Sequence, residues 1–268
     1  NVFEWRSIIC FAGVITLTIA LTIWMFVRDD PVQKGYDSYA TDASDPTHRS
    51  KASILSDLTN IFRYKNTWIL TIVPASLIGP TLTFSGLWGV PFLTTHYGLS
   101  PVRSASLIST LLIACALGAP ILGALSEKTG RRKPIYFSAL CLSLLGWVPI
   151  LFIQGMPLWL LVVFFSIVGF ATGAIVIGMA FVKESVPLAL VGTVSGISNM
   201  GMEMGPMILQ PAMGLVLDFK WNGLIENGIR IYDLNAYHLA FGLIIGLSIL
   251  GALLITFARE TFCQQLHE

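Results

Sequence analysis

A short polar turn between two long apolar runs reads Gly123-Ala124-Leu125-Ser126-Glu127-Lys128-Thr129-Gly130-Arg131-Arg132-Lys133. It holds one acid, four bases and two glycines, whereas the flanking runs, 104–125 and 135–153, contain no charged residue. Apolar helices of about 20 residues cross the ~30 Å hydrocarbon core of a membrane, and basic residues gather in cytoplasmic loops. The turn therefore predicts two membrane-spanning helices that are joined on the cytoplasmic side.

The same pattern extends over the whole chain. Hydrophobic residues make up 54% of the sequence and charged residues 12%, and the mean hydropathy of +0.75 is too high for the surface of a soluble domain. Seven runs are long enough to cross a membrane: Ile8–Val27, Trp68–Leu93, Ser104–Leu125, Ile135–Ile153, Leu158–Phe181, Thr193–Leu217 and Leu239–Phe257. We therefore predict an all-α multi-pass membrane protein with about seven transmembrane helices.

Basic residues between the runs indicate the orientation of the chain. One side carries only Arg6, Arg103, Lys220 and Arg230, whereas the other carries the remaining twelve of the 16 Lys and Arg residues, namely Arg28, Lys34, Arg49, Lys51, Arg63, Lys65, Lys128, Arg131, Arg132, Lys133, Lys183 and Arg259. The richer side is expected to be cytoplasmic. We therefore expect an integral membrane protein, of the bacterial inner (plasma) membrane, with its C-terminus in the cytoplasm and Asn1 outside.

Net charge and cysteine content exclude several classes of function. The 16 basic residues nearly balance the 15 acidic ones, so charge gives no reason to expect a nucleic-acid partner. The four cysteines show no CxxC spacing, and they predict neither a disulfide framework nor a metal site. HExxH and GxSxG are also absent from the sequence, so we expect neither an enzyme nor a cofactor.

The longest connection, residues 28–66, begins with a polar mixture that cannot bury a core and is typical of a linker. Its second part places Ile54, Leu55, Leu58, Ile61 and Phe62 at helical spacing. An amphipathic helix on the membrane surface and a cytoplasmic extension of the next helix fit this spacing equally well.

The turn at 123–133 resembles the signature loop of the major facilitator superfamily, in which a Gly, an acidic residue, a second Gly and a basic cluster recur at this spacing. The family usually has Asp where this chain has Glu127. Retention of the loop in the cytoplasm explains the basic residues, but not the two glycines together with the acid. The resemblance implies a cytoplasmic gate loop made of Gly123, Glu127, Lys128, Gly130, Arg131, Arg132 and Lys133, in which the carboxylate makes a contact that breaks and reforms between conformations.

The resemblance also implies a division of the chain. Residues 1–27 would be the sixth helix of the family and the last of an N-terminal bundle, and 28–66 its central cytoplasmic loop. Residues 67–258 would form the six-helix C-terminal bundle, and 259–268 a cytoplasmic tail. Five helices would then lie upstream, so we expect this chain, which begins at Asn1 rather than Met, to be a fragment or a processed form.

The function implied by the resemblance is secondary active transport of a small solute by alternating access, as in permeases and symporters, with protons as a candidate coupling ion. The lipid bilayer and the N-terminal half would be the partners. Sugars, peptides, organic acids and drugs all remain open as substrates. A seven-helix receptor or sensor without transport activity is the alternative with the same topology, although the sequence lacks a Lys in the last helix and the DRY and NPxxY motifs.

Glu203 is the only acidic residue deep inside an apolar run. A carboxylate at such depth is costly, so it should face a cavity or a partner rather than lipid. Ser195, Asn199 and Gln210 share its face of the predicted helix. This polar stripe predicts either a substrate and proton pathway or a hydrogen-bonded seam between packed helices, and the sequence does not distinguish between them.

The second run is interrupted by Pro74, Pro80 and Pro91, and it places Thr81, Ser85 and Trp88 on one face. Interrupted helices line the cavities of many transporters, so these three side chains are further candidates for the substrate pathway. A structural kink and a core or interfacial Trp explain the same residues.

Overall fold

The computed structural model describes residues 5–28, 35, 57–226 and 228–265. The chain divides into two units, residues 1–49 and 50–268, which are described separately. The first unit contains helix α1, Trp5–Phe26. The hydroxyl groups of Thr16 and Thr18 are hydrogen-bonded within the helix, since each donates to the carbonyl four residues earlier. At ~1.5 Å per residue, these 22 residues extend over roughly 33 Å, which is enough to cross a bilayer.

The second unit is a bundle of helices that follow one another through short turns. Its elements are α2 (Lys65–Thr83), a π-helical turn (Phe84–Trp88), α3 (Gly89–Tyr97), α4 (Pro101–Thr129), α5 (Lys133–Phe152), α6 (Leu158–Thr172), α7 (Ile175–Glu184), a 3₁₀ turn (Leu188–Leu190), α8 (Val191–Phe219), strands β1 (Ile225–Glu226) and β2 (Ile229–Arg230), and α9 (Leu234–Thr256). The two strands form a short antiparallel hairpin between α8 and α9.

Among the described residues, six helical stretches are long and apolar enough to cross a membrane: Arg6–Phe26, Lys65–Tyr97, Pro101–Thr129, Lys133–Phe152, Leu158–Glu184 and Leu234–Thr256. The seventh predicted run forms α8, whose 29 residues are also long enough to span. Its hydropathy is lower because it contains Asn199, Glu203, Gln210 and two prolines. The predicted all-α multi-pass fold is confirmed.

Glycines set the closest helix contacts in the bundle. Gly201 and Gly205 of α8 press against the backbone of α2, where a Cβ on Gly205 would lie 2.6 Å from the carbonyl oxygen of Ala75. Gly169 of α6 and Gly173, the residue directly after α6, pack in the same way on α4. Small residues let helix backbones approach closely, and such contacts replace the hydrophobic driving force that is missing between helices in lipid.

Buried side chains form two clusters, one towards each end of the bundle. Phe84 is central to the first cluster, with its ring 5.3 Å from that of Trp147 and 5.6 Å from that of Phe165. The second cluster contains the fully buried Tyr136 and Phe181 together with aliphatic residues of α2, α5 and α7. These two clusters hold the helix ends in place, and the polar groups described next lie beside the second cluster.

Part of the predicted linker belongs to the bundle. Residues 57–61 are helical and are separated from α2 by a turn at 62–64. Ile61 is fully buried in the second cluster, and Leu58 and Phe62 pack against it. The other two residues of the predicted amphipathic pattern, Ile54 and Leu55, lie outside the described residues.

Candidate functional site

The turn between α4 and α5 reverses sharply at Gly130. Its φ of +63° lies in the left-handed region, which glycine adopts without steric cost. The N–H of Gly130 donates to the carbonyl of Glu127 and that of Arg131 to the carbonyl of Ser126 at 3.2 Å, so the last carbonyls of α4 are capped. This reversal directs Arg132 and Lys133 back towards the bundle.

Arg132 forms a largely buried ion pair with Glu184 at the end of α7. Its Nη2 lies 2.7 Å from Glu184 Oε1 and its Nε 3.1 Å from the same oxygen, and the two side chains are only 7% and 13% exposed. Its other terminal nitrogen donates to the hydroxyl of Ser126 at 3.2 Å. Burial alone lowers the pKa of Arg132, but the hydrogen bond and charge of Glu184 more than offset this effect and raise its pKa.

Glu260, which follows α9, binds the start of α5. The backbone N–H groups of Arg132 and Lys133 donate to its two carboxylate oxygens at 2.9 Å and 3.0 Å. A carboxylate at this position is stabilised by the partial positive charge of a helix N-terminus. In return, Lys133 Nζ donates to the carbonyls of Thr256 and Ala258 at the end of α9, at 2.6 Å and 2.9 Å.

Two further side chains extend these contacts to α2 and to the tail. The hydroxyl of Thr261 donates to Glu184 Oε2 at 2.6 Å. The amide of Asn66, in the first turn of α2, donates to Ser185 Oγ and to the carbonyl of Arg259, both at 2.8 Å. We call Asn66, Arg132, Lys133, Glu184, Glu260 and Thr261 the polar clamp, because they join four helix ends at one end of the bundle.

The predicted gate loop only partly overlaps the polar clamp. Arg132 and Lys133 belong to it, and Gly130 shapes its turn, whereas Glu127, Lys128 and Arg131 are exposed. Gly123 lies beside α7, where a Cβ would be 3.5 Å from the side chain of Val176. Sequence reasoning missed Asn66, Glu184, Glu260 and Thr261. The available signal was that Glu184 and Glu260 each stand just beyond the end of an apolar run, on the side predicted to be cytoplasmic.

The polar stripe of α8 divides between two environments. Glu203 and Asn199 are exposed on the side of α8 away from α2, since Gly201 on the opposite side presses against Thr71. Within the described part of residues 57–265, neither side chain makes a hydrogen bond. Ser195 and Gln210 are half-buried, and the Ser195 hydroxyl donates to the carbonyl of Val191 at 2.6 Å.

Trp88 and Gln210 meet between the π-helical turn and α8. The indole Nε1 of Trp88 donates to the carbonyl of Gln210 at 3.2 Å, and the Gln210 amide reaches the carbonyl of Leu82 at 3.5 Å. Gly214 leaves room for the indole, because a Cβ there would lie 3.3 Å from Trp88. Single π-helical turns inside α-helices occur frequently at functional sites.

Thr81 and Trp88 contact different helices, although the sequence placed them on one face. Thr81 is buried, and its hydroxyl lies 3.0 Å from that of Thr172 in α6. Ser85 is half-buried within the π-helical turn. The prediction that Thr81, Ser85 and Trp88 share one face assumed α-helical spacing between residues 81 and 88, and the extra residue of a π turn rotates the positions beyond it. Among the described residues, no cluster of three or more His, Cys, Asp or Glu side chains is suited to a metal ion.

Comparison with known proteins identifies related sequences. The family described as Major Facilitator Superfamily matches residues 81–262. The chain is 26% identical over 211 residues to the lysosomal dipeptide transporter MFSD1 of Danio rerio, covering 77% of this chain and 44% of that protein. It is 26% identical over 222 residues to the probable nitrate/nitrite transporter NarK2 of Mycobacterium tuberculosis, covering 81% of this chain and 50% of that protein.

Solved structures of similar fold include a sugar transporter. It is the proton:xylose symporter XylE bound to 6-bromo-6-deoxy-D-glucose, with a TM-score of 0.58 and 18% sequence identity over 76% of this chain and 46% of that one. The chain thus spans about half the length of the curated relatives it matches, 44% and 50%.

Proposed function

Because this chain belongs to the Major Facilitator Superfamily, we propose that it forms the C-terminal six-helix bundle, with one preceding helix, of a secondary active transporter for a small solute. The transporter works by alternating access, and its second wall is supplied by an N-terminal half. In transporters of this kind the binding site lies between the two bundles of one protein, near the middle of the membrane, and the bundles rock against each other around it.

The polar clamp is the observation that carries this proposal. It places a nearly buried charge pair, Arg132 and Glu184, at the mouth of the bundle rather than in its core. It also connects α7 and α9, which lie far from it in sequence, to the α4–α5 turn, which carries the glycine and basic pattern of the family. Such contacts hold one end of a bundle rigid while the other bundle moves, and the exposed Glu127 beside them is available to that second bundle.

Glu203 is our candidate for the proton-coupling or substrate-binding group. It is exposed on α8 together with Asn199, on the side that packs neither on α2 nor on the rest of the described bundle. An ionisable residue within a membrane helix normally faces a pathway or a partner. The half-buried Ser195 and Gln210 of the same helix are further candidates, and Gln210 is in contact with Trp88. Ser85, in the π-helical turn, is also a candidate, whereas Thr81 is buried against Thr172 and is the weakest of the set.

The proposed substrate is a small polar solute. The relatives are named for dipeptide and for nitrate/nitrite transport, and the similar structure for xylose symport, so they agree on small polar molecules and not on one substrate. Symport with protons is the mechanism we propose, with the polar clamp facing the cytoplasm of a bacterial inner membrane.

The experiment is uptake by proteoliposomes that contain the complete transporter. Nitrate, a dipeptide and a pentose are tested with and without an inward proton gradient, in wild type and in Glu203→Gln. Glu226→Gln, in the exposed β1–β2 hairpin, is the matched acid-to-amide control. Glu203→Gln should abolish accumulation driven by the pH gradient and retain counterflow exchange. Unchanged gradient-driven uptake by a well-folded Glu203→Gln variant would refute the coupling role.

A further inference from the structure

An apolar groove of about 200 Å³ runs along the outside of the bundle between α2, α8 and α9. Its floor has no large side chains, because Gly201 and Gly205 of α8 press directly on the backbone of α2. Ile72, Met204 and Ile208 form its rim and are 43%, 48% and 54% exposed, so the groove is open to the surroundings of the bundle. Because α2 and α9 are long and apolar enough to cross a membrane, those surroundings are lipid or another helix.

The groove has no polar group available to a solute. Thr71 alone among its lining residues has a polar side chain, and its hydroxyl donates to the carbonyl of Thr67 at 2.7 Å. Glu203 and Asn199 lie on the opposite side of α8, so a second bundle that packs on these two residues does not cover the groove. We therefore expect an apolar occupant that comes from the membrane.

A strip of exposed side chains on α2 leads from the groove to the end of the bundle that carries the polar clamp. Lys65, Trp68 and Ile72 are the exposed residues in the first two turns of α2. Their spacing of three and four places them on one face of the helix. At ~1.5 Å per residue, Lys65 lies roughly 10 Å along the helix from Ile72. The strip thus passes from a charged helix end into the apolar groove.

Three exposed basic residues gather around the start of α2. Arg63 and Lys65 lie on either side of Tyr64, at the turn that precedes the helix. Arg259 is held beside them, because the side-chain amide of Asn66 accepts from its backbone N–H at 2.9 Å and donates to its carbonyl at 2.8 Å. The ion pairs within the described residues include none of the three bases. Their positive charge is therefore left for an anion outside the described protein.

Trp68 fixes the level of this strip in the membrane. Its ring packs on that of Phe62, with centroids 4.4 Å apart, and its Nε1 donates to the carbonyl of Phe62 at 2.9 Å. The indole is 54% exposed, and Trp is enriched at the level of the lipid headgroups. With Trp68 at that level, Arg63 and Lys65 reach the phosphates, and the groove beyond Ile72 lies among the acyl chains.

We propose that the basic turn and the groove together bind one anionic phospholipid. Its phosphate pairs with Arg63 and Lys65, and one acyl chain lies along the groove between α8 and α9. Basic residues next to a membrane span attract anionic lipids, and hydrogen bonds between such bases and phosphate are among the strong ones. A protein helix in the groove would leave unpaired charges at its mouth, whereas an anionic phospholipid neutralises them and fills the apolar part at once.

The bound lipid would stabilise the contact between α2 and α8. Its acyl chain covers the glycine floor, where these two helices meet without large side chains of their own. A ligand that binds only the folded protein raises the temperature of unfolding. Phosphatidylglycerol should therefore raise that temperature more than phosphatidylcholine with the same acyl chains does.

The test measures lipid binding to the purified full chain by native mass spectrometry. Phosphatidylglycerol and phosphatidylcholine with identical acyl chains are titrated into wild type, Lys65→Gln and the double variant Arg63→Gln with Lys65→Gln. Lys183→Gln is the matched control, since Lys183 is an exposed base at the end of α7. We expect one tightly bound phosphatidylglycerol per wild-type chain. Its affinity should fall about fivefold in the single variant and about 25-fold in the double variant, and stay unchanged in the control.

A photoactivatable group in the acyl chain of phosphatidylglycerol locates the bound lipid. It should label Ile72, Met204 or Ile208, and unlabelled phosphatidylglycerol should compete where glycerol phosphate does not. Equal affinity for the two lipids, or an equal loss in Lys183→Gln, would overturn the proposal and leave only general surface charge. Labelling spread evenly over all exposed apolar residues would overturn it in favour of unspecific contact with the bilayer. Cross-links from the groove to a second copy of the chain would assign the groove to a protein partner instead.

Discussion

At the residue scale, the ion pair of Arg132 and Glu184 is the most sensitive point of the polar clamp. Glu184→Gln removes the charge and leaves Arg132 buried without its counterion. Breaking a fully buried pair costs ~3–5 kcal/mol, and because Glu184 keeps 13% exposure we expect a loss of about 2 kcal/mol in the free energy of unfolding. Thermal unfolding in detergent measures this difference.

Glu127→Gln is the matched control for that substitution. Glu127 is exposed in the last turn of α4, so its replacement should change the free energy of unfolding by less than about 0.5 kcal/mol. We nevertheless expect Glu127→Gln to lower uptake by the complete transporter, because the gate contact that we propose forms in another conformation. Normal uptake would reduce the role of Glu127 to orientation of the chain, and equal destabilisation by both variants would contradict our account of the clamp.

Gly130 provides a second test at the level of one backbone position. Its φ of +63° is strained for residues with a Cβ, and Gly130→Ala should cost about 1 kcal/mol in the free energy of unfolding. Gly130→Asn should cost less, since Asn tolerates this conformation better than Ala does. The same thermal measurement ranks the two variants. A larger loss in the Asn variant than in the Ala variant would show that the conformation of the turn is not what limits stability.

At the element scale, the contact between α2 and α8 depends on glycine rather than on large apolar side chains. In Gly205→Ala the new Cβ would meet the backbone of Ala75 at 2.6 Å and of Gly79 at 2.9 Å, and backbone cannot move aside as a side chain can. We expect a loss of about 1–3 kcal/mol, as for other overpacked interiors. In detergent, the fraction of folded protein after heating reports the change.

Gly196 of the same helix is the control for Gly205. A Cβ at Gly196 meets nothing within 4 Å, so Gly196→Ala should leave stability unchanged or raise it by up to about 1 kcal/mol through better helix propensity. Equal losses in the two variants would show that the close α2–α8 contact is not the cause, since the better helix propensity of Ala can only raise stability.

The helices themselves could be predicted from sequence because length and apolar character fix a membrane span almost independently of the rest of the fold. The π-helical turn at 84–88 could not, since no local pattern in Phe-Ser-Gly-Leu-Trp signals one additional residue in a helical turn. The pairing of Glu184 with Arg132 also escaped prediction. These residues are 52 positions apart, and nothing in either segment specifies that α7 ends beside the α4–α5 turn.

At the scale of the whole molecule, we expect residues 1–268 to insert into membranes without transporting a solute. The chain covers 44% and 50% of the relatives it matches, and one bundle supplies one wall of a cavity that two bundles share. Liposomes that contain only this chain, shown to be monomeric by cross-linking, should take up nitrate, dipeptide and pentose no faster than empty liposomes. Saturable uptake by the monomer would contradict this expectation.

The candidate site was less predictable than the fold for a related reason. Glu203 could be singled out because a lone carboxylate in an apolar run is rare. Its exposure, however, depends on which side of α8 the glycines press against α2, and that side is fixed only when the bundle is assembled. Sequence thus identified the unusual residue, and packing decided which way it faces.

The reciprocal capping by Glu260 and Lys133 has a practical consequence for handling the protein. A shortened chain that stops at Ala258 would lose the carboxylate that accepts the first N–H groups of α5, and also Thr261, which donates to Glu184. The segment after α9 is thus bound along its length to the helix ends, and Gln265 extends these contacts by donating to the carbonyls of Lys183 and Val186. Purification tags and fluorescent fusions should therefore be attached beyond Gln265. A junction placed earlier would remove contacts that hold this end of the bundle together.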